Sequence, residues 1–198
     1  AGRTWEECAA YPLCHLTAWR MLRRARLSPG ETLLVVGVGG GVAAAALVLG
    51  VHLGARVFVT SRSERKLEAA SALGATDGFR SEGEWPIRAD VVVESVGPAT
   101  WERSVKALKP GGRIAVCGGT SGPEVTLSLP RLFFKQYEII GSTMGSYEEF
   151  AHVTDLVAQG LPVVVDEVFD LADYPAALQR LATGDQLGKV VLRHEANT

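Results

Sequence analysis

The stretch that most constrains this chain runs from Thr32 into the forties. The apolar run Thr32-Leu-Leu-Val-Val36 meets the glycine cluster Gly37-Val-Gly-Gly-Gly41, and an alanine-rich segment follows to about Leu53. An apolar run without polar alternation is expected of a strand covered on both faces. Glycines between that strand and a helix let the backbone turn sharply, and the helix then presents free N–H groups and its positive dipole end to whatever lies over the turn. A chain organised around such a unit is expected to build a parallel sheet with helical crossovers.

The alternation continues down the sequence. Strands are expected at residues 56–60, 90–94, 113–117 and 138–141, with a short one near Gly78-Phe79. Helices are expected at residues 63–73 and 100–108, the second closed by Pro110-Gly111-Gly112. Ser146-Tyr-Glu-Glu149 has capping-box form and opens a helix to Gln159. Residues 163–168, a helix near 174–181 and residues 189–192 complete the pattern. Upstream, Thr4-Trp-Glu-Glu7 is another capping box, and a second helical stretch at residues 16–26 ends at Ser28-Pro29-Gly30. Right-handed crossovers then give an α/β fold with a doubly wound parallel sheet of the Rossmann type. The organisation expected is a helical junction segment over residues 1–30 and a dinucleotide-binding domain over 31–198. One long loop, residues 119–130, follows a strand's carboxyl end, where open α/β sheets place ligands.

In its strand–turn–helix setting the cluster reads as a cradle for a pyrophosphate. Its register stays open: Gly39-x-Gly41-x-x-Ala44 fits one frame, and a frame centred on Gly40 puts Ala43 at the packing position. A glycine-rich turn can also serve helix–sheet packing alone, and methyltransferases use one too. Those enzymes place an acid at the end of the second strand, as NAD-preferring domains do for the ribose 2′-hydroxyl. Here that strand ends Val59-Thr60-Ser61-Arg62, with Arg65 and Lys66 close by. A hydroxyl and a guanidinium suit a 2′-phosphate, so NADP(H) is expected over NAD(H).

The chain carries 20 Lys and Arg against 22 Asp and Glu, for a formal net charge of −2, which gives no basic excess for nucleic acid. The cysteines are Cys8, Cys14 and Cys117, an odd set without a CxxC pair, which argues against a disulfide framework and for a reducing, cytoplasmic setting. Gly, His and Arg interrupt every apolar run, so no membrane span is expected. His15, His52, His152 and His194 show no metal-ligand spacing.

Further stretches carry a resemblance: Ala9-Ala-Tyr-Pro-Leu13 with Leu16-Thr-Ala-Trp19, Leu53-Gly-Ala-Arg56, Leu73-Gly-Ala-Thr76, residues 90–97, Leu108-Lys-Pro-Gly-Gly-Arg-Ile114, Gly141-Ser-Thr-Met144 and Gly188-Lys-Val-Val191. In this order, with the glycine turn, they resemble the cofactor-binding portion of medium-chain dehydrogenases/reductases, on the zinc-type alcohol dehydrogenase-like and quinone oxidoreductase-like branches. The resemblance implies an oxidoreductase moving hydride between NADP(H) and an alcohol, carbonyl or activated alkene. It implies pyrophosphate contacts at Gly39, Gly40, Gly41 and Val42, and contacts around the adenosine ribose at Ser61, Arg62 and Lys66. It further implies that Ser95 and Val96 line the adenine-side ribose, and that Cys117, Gly118, Gly119, Ile140, Gly141 and Thr17 lie beside the nicotinamide.

Two departures qualify the resemblance. Zinc-dependent members often supply a zinc-ligating cysteine four residues before the threonine matching Thr17, and Leu13 stands there. Whether a parent enzyme uses zinc is left open by this. The GroES-like catalytic domain of the family has no counterpart in the sequence, so the chain is expected to be part of a longer enzyme and inactive alone. A nucleotide-binding module without catalysis is the alternative. In related dehydrogenases the edge corresponding to residues 138–141 pairs across a two-fold axis, so a homodimer is expected through it.

Overall fold

The computed structural model describes residues 2–194. Helix α1, Trp5–Arg24, is capped as the sequence predicts: the Thr4 hydroxyl accepts from the Glu7 N–H at 3.1 Å, and the Glu7 carboxylate accepts from the Thr4 N–H at 3.0 Å. The two helical stretches expected here are one helix that runs through Pro12. An interior proline costs about 3 kcal/mol. Buried residues on both sides of the proline, Ala10 and Tyr11 before it and Cys14, Leu16, Ala18, Met21 and Leu22 after it, offset that cost by packing. The helix closes with Arg26 in the left-handed region (φ 54°) and the Leu27 N–H returned to the Leu22 carbonyl at 3.0 Å.

The expected alternation follows: β1 (Thr32–Val35), α2 (Gly41–His52), β2 (Arg56–Ser61), α3 (Glu64–Ala72), β3 (Asp77–Arg80), β4 (Ala89–Glu94), α4 (Pro98–Ala107) and β5 (Leu108–Val116). After α5 (Leu129–Phe134) come β6 (Glu138–Gly141) and α6 (Tyr147–Ala158). The six strands form one parallel sheet in the order β3-β2-β1-β4-β5-β6. This is the doubly wound α/β architecture, with the strand order reversing between β1 and β4.

All four residues of β1 are buried. Its alternation divides the core: Leu33 and Val35 join Val57, Val59, Val91 and Val93 on the face covered by α1, α2 and α6. Leu34 and Val36 join Val92 and Ile114 on the other face, under Trp101 and Val105 of α4. The first segment of the chain thus packs directly on the sheet's helical layer, with Met21 and Leu22 wholly buried.

Three elements differ from the sequence expectation. Pro110-Gly111-Gly112 does not simply close a helix; β5 begins at Leu108 and runs through it, with a register irregularity opposite Ala89–Val91. Gly111 takes φ 74°, and a side chain at Gly112 would meet the Lys109 carbonyl at 2.8 Å, so the kink needs both glycines. The expected long loop ends in α5, which Ser128 caps and Pro130 initiates. Lastly, β7 (Val165–Asp170) and β8 (Lys189–Arg193), joined through α7 (Tyr174–Thr183), form a separate two-stranded parallel sheet. β7 carries Asp166, Glu167 and Asp170 and so cannot be a strand buried on both faces. Arg180 holds Asp166 through two bonds of 2.9 and 3.2 Å.

Candidate functional site

The carboxyl ends of the strands bring most of the expected site residues into a row that follows strand order. Ser61 ends β2, the glycine turn leaves β1, Ser95 and Val96 follow β4, Cys117 to Gly119 follow β5, and Ile140 and Gly141 end β6. Thr17 lies on α1, on the face of the sheet that also receives Cys117 and Ile140. Ser95 and Val96 stand on the far side of β1 from β2, with Val96 Cγ2 at 3.0 Å from where a Gly37 side chain would begin. That is mid-row, displaced from the β2 end where the adenine-side ribose was expected.

The glycine turn is built by specific contacts. Gly37 takes φ 74°, its N–H donates to Thr60 Oγ1 at 3.1 Å, and the Val38 N–H donates to the Thr60 carbonyl at 2.9 Å. Gly40 is the N-cap of α2 and has no side-chain cap. The first helical bond returns from the Ala44 N–H to the Gly40 carbonyl at 2.8 Å, so the N–H groups of Gly41, Val42 and Ala43 are left to bind an anion. The three glycines have different reasons to be glycine. A Cβ at Gly39 would meet Lys66 Nζ at 2.7 Å and the Gln186 carbonyl at 3.1 Å. One at Gly41 would meet Cys14 Sγ at 2.7 Å and Lys189 Cδ at 2.9 Å. One at Gly40 would meet nothing closer than 3.9 Å. Gly39 and Gly41 therefore serve packing within the chain, while Gly40 leaves open space above the helix end.

Two lysines flank that space. Lys66 is buried, donates to the Gly184 carbonyl at 2.5 Å, and forms no salt bridge among the described residues. Burial pushes its pKa down, with Asp185 pulling the other way. Lys189 lies over Gly41; sequence reasoning missed it, although the Gly188-Lys-Val-Val191 stretch was visible. The Gly188 N–H donates to the Gly39 carbonyl at 3.0 Å, which ties the segment carrying Lys189 to the turn. Ser61 is buried and its hydroxyl oxygen accepts from the Ser63 N–H at 3.1 Å, leaving its proton to donate. Arg62 is exposed, with Nη2 at 3.6 Å from a Cβ built on Gly184. Arg65 is occupied by the Asp185 carbonyl at 2.7 Å.

At the other end of the row, Glu94 is a second residue that sequence reasoning passed over. It is fully buried. Its carboxylate accepts from the N–H groups of Val96 (2.7 Å) and Gly97 (3.1 Å) and from the hydroxyls of Thr100 (2.9 Å) and Ser104 (2.5 Å). The signal was the lone charge ending the run Val91-Val-Val-Glu94. Ser121 stitches the neighbouring loop to the same turn, its N–H and hydroxyl both donating to the Val96 carbonyl at 2.7 and 2.6 Å. Cys117 is partly buried, and burial, aided by Cys14 and Glu94, pushes its thiol up to about 11. At neutral pH it is a small apolar wall, not a nucleophile.

This is the geometry of an extended dinucleotide cleft: an anion cradle at the centre, cations toward β2, and an apolar, rigidly tied end toward β5 and β6. The sequence pattern of the family described as zinc-binding dehydrogenase matches residues 37–159, more than half of the chain. The chain belongs to the zinc-binding dehydrogenase family. A zinc-type alcohol dehydrogenase-like protein of Leptosphaeria maculans is 32% identical over 94% of this chain, which spans 58% of that relative's length. The solved structure of an NAD-dependent alcohol dehydrogenase superposes with a TM-score of 0.90 at 37% identity, covering 96% of this chain and 59% of the other. A 2-octenoyl-CoA carboxylase reductase, solved with NADP and 2-octenoyl-CoA, superposes with a TM-score of 0.92 at 28% identity, covering 99% of this chain and 51% of the other. The match to a dehydrogenase family removes the methyltransferase reading.

The zinc in the family's description finds no fit among the described residues. Leu13, half exposed on α1, offers no donor atom at the position where a cysteine was expected. Cys14 turns inward against Gly41, and burial raises its thiol pKa. His15 is buried, with Nε2 at 3.2 Å from the Pro162 carbonyl. Among the described residues no three His, Cys, Asp or Glu side chains come together as a metal-holding group. Thr17, one turn beyond Leu13, donates its hydroxyl to the Leu13 carbonyl at 2.8 Å. Among the described residues no helix is long and apolar enough to cross a membrane.

Proposed function

We propose that this chain binds NADP(H) in preference to NAD(H) for a hydride-transferring oxidoreductase. The observation that carries this reading is the uncapped helix N-terminus with open space over Gly40, flanked by Lys66 and Lys189, neither of which forms a salt bridge among the described residues. The N–H groups of Gly41, Val42 and Ala43 with Lys189 would hold the pyrophosphate. Ser61, Arg62 and Lys66 would take the ribose and its 2′-phosphate, and Thr17, Cys117 and Gly141 would line the nicotinamide. The nicotinamide supplies hydride exchange when bound; the chain's part is to orient the ring and exclude water. The absence of an acid at Ser61 supports the phosphorylated cofactor, because a carboxylate there would repel it. Isothermal titration with NADPH and NADH tests the reading. Tighter NADPH binding is expected; equal affinities overturn the preference, and no binding of either overturns the site.

Leu13 favours one substrate class within the reading. An alcohol or aldehyde bound to zinc needs metal ligands, and this chain offers an apolar side chain where one would stand. Hydride addition to an activated alkene, as in an enoyl thioester, needs donors for the enolate oxygen and no metal. Donors for that oxyanion would have to come from outside this chain. For association we propose a symmetric homodimer through β6. Among the described residues no strand pairs with its outer edge, Ile139 is 41% exposed, and Phe133 and Phe134 of the preceding α5 are exposed. Arg24 donates to the Gly141 carbonyl and Arg26 pairs with Glu138 at 2.5 Å, so the arginines would rearrange on pairing. Light scattering on the chain and on Ile139→Lys tests it: a dimer made monomeric by the substitution is expected, and a monomer in both overturns it.

A further inference from the structure

Residues 184–188 join α7 to β8 and run past the glycine turn. The Gly184 carbonyl accepts from Lys66 Nζ at 2.5 Å, and the Asp185 carbonyl accepts from Arg65 Nη2 at 2.7 Å. Lys66 Nζ and the Gln186 carbonyl converge over Gly39, at 2.7 and 3.1 Å from a Cβ built there. Arg62 Nη2 lies 3.6 Å from a Cβ built on Gly184. The segment therefore lies against all three cations that follow β2.

Carbonyl oxygens are neutral acceptors where a phosphate offers charged ones, and a charged acceptor binds an ammonium or guanidinium more strongly. Lys66 has three donors and spends one on Gly184. It is nevertheless only 7% exposed, so a phosphate reaches its ammonium only if the covering segment moves. The two ends of that segment are held differently. At the β8 end, the Leu187 N–H donates to the Asp166 carboxylate at 3.0 Å and the Gly188 N–H to the Gly39 carbonyl at 3.0 Å. At the α7 end, the side-chain bonds are those from Lys66 and Arg65 themselves. Gly184 and Gly188 bound the segment with φ of 69° and 88°, and a side chain at Gly188 would run into the Val164 carbonyl. Asp185 is exposed, and its carboxylate lies in the field of the Lys66 ammonium: burial pushes that pKa down, and Asp185 is the strongest influence raising it.

We infer that residues 184–188 form a strap that competes with the cofactor's 2′-phosphate for Lys66 and Arg65, with Asp185 as its specificity-determining residue. The inference rests on the cofactor reading above. In the free chain the strap's carbonyls stand in for phosphate oxygens. A 2′-phosphate draws the two cations away and releases the α7 end of the strap, while a 2′-hydroxyl carries no charge to do so. The Asp185 carboxylate opposes the exchange twice, by adding to the strap's hold on the cations and by repelling the incoming phosphate. The strap thus sets how far the phosphorylated cofactor is favoured, and it links occupancy of that corner to the β7–β8 sheet.

The test titrates the wild-type chain and Asp185→Asn with NADPH and NADH, and follows amide hydrogen exchange over residues 184–188. The variant keeps the main-chain carbonyl and removes only the charge. It should bind NADPH about 2- to 5-fold more tightly, the range for one exposed charge pair, and NADH as the wild type does. Exchange over the strap should be faster with NADPH bound than in the free wild-type chain, and no faster with NADH. A variant whose NADPH affinity is unchanged or lower, or that gains equally for both cofactors, overturns the role of Asp185 while leaving the cofactor site standing. Exchange that NADPH slows or leaves unchanged overturns the strap in the same way. A wild type that prefers NADH overturns the preference proposed above, and the strap stands if Asp185→Asn still narrows the difference. A wild type that binds neither cofactor overturns the site and this inference with it.

Discussion

Gly40 and Gly41 are adjacent, yet a methyl group on each should do opposite things. At Gly41 the new Cβ would stand 2.7 Å from Cys14 Sγ and 2.9 Å from Lys189 Cδ, both closer than carbon tolerates. Cys14 is buried in the core and cannot move aside freely. Overpacking of this kind costs about 1–3 kcal/mol. In a domain of this size each kcal/mol lowers Tm by roughly 2–4 °C, so Gly41→Ala should unfold about 2–12 °C earlier. At Gly40 the backbone has φ −78° and ψ 153°, which any residue adopts, and the Cβ meets nothing closer than 3.9 Å. Gly40→Ala should hold or gain stability, by about 0.4–1 kcal/mol from the stiffer unfolded chain. The methyl would instead occupy the space over the uncapped helix end. Displacing one charge-assisted hydrogen bond costs about 1.5–3 kcal/mol. That corresponds to about a 10- to 150-fold loss of NADPH affinity. Differential scanning fluorimetry and calorimetric titration on both variants separate the two effects. If Gly40→Ala binds NADPH as well as the wild type, the phosphate does not sit over α2 and the cleft has been misread. A bulkier residue at Gly41 makes a poorer probe, because any loss of binding would be confounded with damage to the Cys14 contact.

Arg62→Ala should weaken NADPH by about 1–3 kcal/mol and leave NADH nearly unchanged, measured by the same titration. Glu94→Ala leaves two buried N–H groups and two hydroxyls without their acceptor and should cost about 3–5 kcal/mol in urea unfolding, whereas Glu94→Gln, which can still accept from both N–H groups, should cost far less. At Asp166 burial alone would raise the pKa, but Arg180 and the Leu187 N–H outweigh it and hold the carboxyl below its ordinary 3.8. A depressed acid stabilises the fold above its unfolded pKa and loses that contribution as pH falls through the folded value. Acid unfolding followed by circular dichroism should therefore show a component below about pH 4 that Asp166→Asn lacks. The 198-residue chain by itself should oxidise NADPH with no aldehyde, quinone or enoyl thioester above background, and robust turnover with any of them would reveal an oxyanion donor set within it.

The parallel sheet was legible because its signals are local. Thr32-Leu-Leu-Val-Val36 could be little other than a central strand, and both capping boxes, at Thr4 and Ser146, form as their spacing requires. The two helical stretches expected before residue 27 are one helix, because the packing that carries it through Pro12 is not visible in sequence. The separate β7–β8 sheet was hidden for a similar reason: Val163 to Val168 is apolar enough for a strand, but which sheet it joins is a tertiary choice.

At the site, residue types were readable and their partners were not. Three consecutive glycines announced a turn but could not say which two were fixed by Cys14, Lys189 and Lys66, since those contacts come from elements far apart in the chain. The same distance concealed Lys189, which reaches the helix end only because the Gly188 N–H pairs with Gly39. Glu94 looked like an ordinary polar strand end, and its meaning lies in four donors gathered from the following turn and helix. Sequence reports which groups can bond; only the fold reports which have already done so. Among the described residues that accounting leaves four buried side-chain atoms without a partner, on His15, Trp101, Ser142 and Gln186, and none of them could have been named from the sequence.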